Sequence, residues 1–251
     1  MDQDPTATKP GFAQEHPWDR NFFLVYLLII WAVIATGFGI DMATRENGKF
    51  LSYPLIVHFH AVVYVGWLAL FTTQILLIRK GDYTTHMRTG LAALVLLPLM
   101  AVLGPATAIV MDRLRYDPAS THVAFMATQF TNVLGCIVLI CCGLLWRRDP
   151  SAHKRLMLMG TLAVTEPGFS RIWRSLLHGI LGNGFFPYLA ETYIGTIVLM
   201  LGLGAYDLVT RKRLHPAYVA AFFWVLANEM TAAWLFFQPW WLAFCRHLVG
   251  H

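Results

Sequence analysis

Apolar runs recur along this chain, each closed by a short stretch of charged, glycine or proline residues. They cover Phe22 to Ile40, Tyr53 to Ile78, Gly90 to Met111, His122 to Trp146, Leu156 to Ile172, Phe186 to Val209 and Ala217 to Phe237. Most approach the roughly 20 residues with which a helix crosses hydrocarbon. The fifth is shorter and interrupted by Glu166-Pro167. Backbone groups in lipid must satisfy one another, and the runs show no alternation of lipid-facing and lumen-facing positions, so a barrel is excluded. The pattern predicts an all-α integral membrane bundle of about seven transmembrane helices. One bundle over residues 22–237 is expected, after a mobile polar tail (1–21) and before an interfacial C-terminal tail (238–251). The first run is too long, and too poorly followed by small residues, for a signal peptide.

Composition agrees. With 57% hydrophobic and 13% charged residues and a mean hydropathy of +0.54, the chain is too apolar for a soluble domain. The net charge of +5 comes from loops between apolar runs, so it points to a lipid bilayer and to no nucleic acid. Twelve of the Lys and Arg residues fall on the side of the N-terminus and seven on the other. That bias predicts a multi-pass protein of the bacterial inner membrane, with its N-terminus in the cytoplasm and its C-terminus outside. Trp18, Tyr53, Trp146, Trp173, Tyr218, Trp240 and Trp241 fall near run ends, where aromatic rings favour the headgroups. The four cysteines lack ligand spacing and read as small apolar side chains. Walker and Rossmann signatures are absent.

Ionisable residues inside a span are costly and carry the functional question. Counting rise along each helix puts His60 about 10 Å and Glu191 about 7 Å inside the outer face, with Glu166 and Glu229 about 18–20 Å above the inner one. His122 stands at the outer end of its run. These groups concentrate in the outer half, while the inner half holds mainly neutral Gln74, Asn132 and Thr161. His60, Tyr64, Trp67, Phe71 and Gln74 share one helical stripe, as do His122 and Gln129. His58 lies about 200° around the helix from His60 and joins one centre only if the turn at Pro54 distorts that end. The candidate metal ligands are therefore His60, His122, Glu166, Glu191, Glu229 and His58, lined by Tyr64, Trp67, Gln74 and Gln129. Arg171 and Arg174 could clamp an anion or a propionate. Against this stand neutral histidines and protonated carboxyl groups acting as interhelical glue, and arginines as interfacial anchors. His86, His153 and His215, beside Arg, Lys or Pro in loops, are expected to face headgroups.

The run His58-Phe59-His60-Ala61, with Trp67, Gln74 and His86-Met87-Arg88-Thr89-Gly90, is followed by His153-Lys154-Arg155-Leu156-Met157. Asp207 and Arg213-Leu214-His215-Pro216 come later. This set resembles a widespread group of bacterial polytopic inner-membrane proteins with no assigned reaction. The resemblance runs from Phe22 to about Pro216 and implies the fold and the host membrane, not a chemistry. Those proteins commonly continue their apolar run after the His-Lys-Arg-Leu-Met motif, where this chain places Glu166-Pro167 and the two arginines.

Three functions stay open on these residues. One is a membrane oxidoreductase with a redox metal (iron, copper or manganese), acting on a lipophilic substrate or quinone, although the HxxxH and HxxHH spacings of membrane hydroxylases are missing. Another is a b-type cytochrome with His60 and His122 on one haem b. The third is a small transporter, assembly factor or subunit of a membrane complex, in which breaks at Glu166-Pro167 and Gly182-Asn183-Gly184 would favour transport.

Overall fold

A computed structural model describes residues 12–44 and 53–251. It contains α1 (Asp19–Thr44), α2 (Leu55–Lys80), α3 (Tyr83–Gly90), α4 (Ala93–Leu114) and α5 (Met126–Leu145), the last entered through a 3-10 turn at His122–Phe125. There follow α6 (Pro150–Ala163), α7 (Glu166–Leu181), α8 (Phe185–Arg211), α9 (Pro216–Phe236) and α10 (Pro239–Leu248). Among the described residues there is no strand, and the chain is an all-α, multi-pass membrane bundle.

Among the described residues six stretches are long and apolar enough to cross a bilayer: α1, α2, α3 with α4, the 3-10 turn with α5, α8, and α9. The expected fifth span, Leu156 to Ile172, is not among them and is divided into α6 and α7. Proline has no amide hydrogen, and its ring clashes with the carbonyl four residues earlier, so Pro167 cannot continue a helix through Ala163. It is tolerated in a first turn instead, and α7 starts at Glu166. Thr165 closes the break by donating its hydroxyl to the Leu162 carbonyl at 2.6 Å.

The remaining boundaries follow local chemistry. Gly81, in the left-handed region at φ 77°, ends α2, and Asp82 caps α3 by accepting from the Thr85 amide at 3.0 Å. Hydrogen bonds from the Thr85 side chain and amide hold the Asp82 carboxyl below its ordinary pKa. Asp149 caps α6 and His215 caps α9, each followed by proline at the first helical position.

The core is built around α5, which packs on α4, α6 and α9. Trp67, Phe71, Met100, Ile140, Leu158 and Leu203 fill it. Large apolar side chains such as Val62, Leu94, Val102, Val198 and Phe223 point outward, as lipid contact requires. The short α7 lies between α1 and α8. A Cβ on Gly37 would run into the Gly168 carbonyl oxygen, so α1 and α7 touch through their backbones.

The two ends of the bundle differ. At the basic end, the segment before α1 is held by Lys154 and Arg211, which donate to the Gln14 and Ala13 carbonyls at 2.6 and 3.0 Å. At the opposite end, Arg113 donates to the Val249 carbonyl at 2.9 Å and His251 stacks on Tyr116. Residues 12–18, expected within a mobile tail, are thus packed on the bundle, and residues 1–11 lie outside the described part. The expected C-terminal tail is mostly α10, which packs on the 3-10 turn and α9.

Candidate functional site

The break between α6 and α7 sets the position of Glu166. As the first residue of α7 it points a carboxyl group into the bundle at the place where the main chain has lost its regular hydrogen bonding. Asn132 of α5 donates to Glu166 Oε2 at 2.9 Å. Glu229 of α9 lines the same small cavity, with Asn132, Tyr193, Thr196 and Asn228. The volume open to a water-sized sphere is about 10 Å³, room for about one water. Glu166 is 2% exposed and Glu229 4%, so neither reaches solvent.

The hydrogen bonding is incomplete. Glu166 Oε1, Glu229 Oε2 and Thr196 Oγ1 are buried with no partner, which costs free energy unless something else satisfies them. The Tyr193 and Thr128 hydroxyls are committed elsewhere, since Tyr193 donates to Thr128 at 3.0 Å and Thr128 pairs with Tyr188, whereas the Thr196 hydroxyl is uncommitted and Ser170 stands beside Glu166. Asn228 spends its amide on the Trp224 carbonyl at 2.7 Å. The cavity thus holds the unpartnered oxygens of two carboxyl groups with few free donors beside them, and calls for a proton or a cation.

The other candidate ligands stand apart. Glu191 of α8 is buried against the exposed edge of α7, with His178 Nδ1 at 3.0 Å and Arg174 Nε at 3.8 Å. Arg174 also lies over the Phe125 ring. Arg171 donates to the Pro167 carbonyl at 2.7 Å, lies 3.8 Å from Asp41 and covers Phe38. Both arginines of the expected clamp thus face acids and rings. His122 is exposed and 3.6 Å from the buried Asp112. His60 stacks on Tyr64, and its buried Nδ1 has no partner. His58 is half-buried on the same helix.

The expected lining residues scatter too. Tyr64 donates to the Met100 carbonyl at 3.2 Å, and Trp67 donates to Thr161 at 3.3 Å inside the core. Gln74 reaches Thr89 at 2.7 Å at the basic end. Gln129 is half-buried, and its Oε1 has no partner. Among the described residues no three His, Cys, Asp or Glu side chains are grouped to hold a metal. The cavity offers two carboxyl groups with amide and hydroxyl oxygens, a hard set that suits a proton or a hard cation. For a haem between His60 and His122, His60 faces the Leu103 level of α4 and His122 the Asp112 level. Nine residues of helix, about 13 Å, separate those levels.

Sequence reasoning picked out Glu166 and Glu229 but not their company. Asn132 belongs with them, not with Gln74 and Thr161 as expected; its signal was a polar residue in an apolar span four positions after Thr128. Asn228, beside Glu229, offered the same signal.

A second polar concentration occupies the basic end. Arg155 forms two hydrogen bonds with Asp207, and both side chains are almost fully buried. Asp19 accepts from Lys154, Tyr206 and Arg211. The Phe12 ring lies against Arg155, Arg211 and Arg213. These contacts join the His-Lys-Arg-Leu-Met, Asp207 and Leu-His-Pro motifs in one place.

Fold and site together define a class: a helical multi-pass membrane protein with a buried carboxyl pair at a broken helix. No protein-family model, curated protein or solved structure matches this chain.

Proposed function

We propose that this chain is a proton-coupled membrane carrier in which Glu166 and Glu229 share the coupling proton. The observation behind this reading is the pair itself: two buried carboxyl groups on one cavity, each with an unpartnered oxygen. Two ionised carboxylates side by side away from water are costly, whereas one proton between them removes a charge and supplies a donor. A helix broken at such a site is the device by which carriers expose main-chain groups within the membrane.

The bilayer arrangement is part of the proposal. With α6 and α7 acting as one broken crossing, the bundle crosses seven times and its ends fall on opposite sides, in keeping with the opposite placement of residues 12–18 and the C-terminus. The basic end then faces the cytoplasm of a bacterial inner membrane, as the positive-inside bias requires.

Proton entry into liposomes carrying the purified chain, driven by an imposed potential and read with a trapped pH dye, tests this. Wild type should exceed empty liposomes, and E229Q or E166Q should slow entry about tenfold or more. Equal rates in wild type and an E166Q/E229Q double variant would contradict the reading.

A further inference from the structure

At the basic end, away from the carboxyl pair, two histidines face each other. His86 lies on α3 and His153 in the first turns of α6, so neither is in a loop as the sequence suggested. Their ring centroids are 6.3 Å apart and the ring planes perpendicular. His153 Nδ1 is 2.8 Å from the Gly143 carbonyl. A carbonyl only accepts, so Nδ1 carries the hydrogen and Nε2 is left with a free lone pair. His86 Nδ1 is buried with no hydrogen-bond partner at bonding geometry, and the ring lies against the Gln74 backbone.

We propose that His86 and His153 are the two imidazole ligands of one transition-metal centre, either the iron of a haem or a bare late first-row ion. The spacing carries this. Two imidazoles bound on opposite sides of one metal, with bonds of about 2.0 Å and each ring centre roughly 1 Å behind its nitrogen, have centroids roughly 6 Å apart. A hydrogen bond from the non-ligating nitrogen to a main-chain carbonyl fixes tautomer and ring direction, as a ligating histidine needs. Packing alone would leave the buried His86 nitrogen unsatisfied, and a metal satisfies it. Perpendicular planes are compatible with axial ligation, because rotation of either ring about the metal–nitrogen bond leaves the bond intact. Arg147 stands close enough to His153 to influence its charge, a cation near the pair that could meet an acidic group of a bound ligand. The pair joins two motifs of the resemblance, His86-Met87-Arg88-Thr89-Gly90 and His153-Lys154-Arg155-Leu156-Met157, and differs from the His60 and His122 pairing expected for a haem.

This inference stands independently of the carboxyl pair, and either can fail alone. The test is titration of the detergent-purified full chain with haemin and, in parallel, with Co²⁺, followed by visible absorption. A six-coordinate, low-spin spectrum saturating at one haemin per chain assigns the centre to haem. A Co²⁺ spectrum without haemin binding assigns it to a bare ion. In either case H86A and H153A should weaken binding at least about tenfold, while H60A and H122A bind as wild type. Because alanine could disturb packing, H86G is titrated with and without free imidazole, and imidazole should restore the wild-type spectrum. Binding of neither probe, or binding that follows His60 and His122 instead, overturns the proposal.

Discussion

Arg155 and Asp207 show what a single residue contributes at the basic end. A charge buried there without its partner would be strongly destabilising, so the pair matters more for what its loss would cost than for any net gain. His215 sits beside this network as the cap of α9, accepting from the Ala217 amide at 3.1 Å through Nδ1. Burial, and then the charge of Arg155, lowers its pKa from the ordinary histidine value. The folded chain therefore holds the neutral ring, and as pH falls the unfolded chain takes up the proton first. The contribution of His215 is complete above about pH 6.5 and is lost as pH drops below it. H215N keeps a capping acceptor that does not titrate. Its unfolding midpoint should fall less than that of wild type between about pH 7 and about pH 5, and equal falls would remove His215 from the acid response. The resemblance marked Arg155, Asp207 and His215 as motif residues. It could not show their contact, because Arg155 and Asp207 are 52 positions apart and pairing at that range depends on helix packing.

At the scale of elements, apolar periodicity made the long helices legible, and their observed limits differ from the expected ones by a few residues. The segment after Leu156 did not follow, because Pro167 decides there between one helix and two. What then holds the short α7 was also invisible: Gly37 and Gly168 belong to no GxxxG pair, yet they let α1 and α7 meet backbone to backbone. In Gly37→Ala the new methyl group would meet the Gly168 carbonyl, which cannot swing aside as a flexible side chain could. The substitution should destabilise the protein by about 1–3 kcal/mol and lower its thermal midpoint in detergent. Gly39→Ala, with open space around the added carbon, should not. Similar midpoints for the two variants would mean that α7 does not dock as described.

For the whole molecule, composition alone separated a membrane bundle from a soluble domain, whereas which polar residues meet did not follow from depth along separate helices. Counting rise put Glu166, Glu191, Glu229, His60 and His122 at comparable heights. It could not reveal that Glu166 and Glu229 converge while Glu191 turns to His178 and His122 to Asp112, since rotation about each helix axis is fixed by neighbours. The proposed topology has its own check. A periplasm-dependent phosphatase fused after His251 should be active and one fused after Asp149 inactive, and the reverse pattern would turn the bundle over. The carboxyl pair itself is tested most directly by infrared difference spectroscopy on the membrane-reconstituted chain as pH is raised. A carbonyl stretch from a protonated, buried carboxyl group should be present in wild type, disappear on deprotonation, and be lost or shifted in both E166Q and E229Q. A spectrum without that band, or with a band unchanged in both variants, would contradict a shared proton at this site.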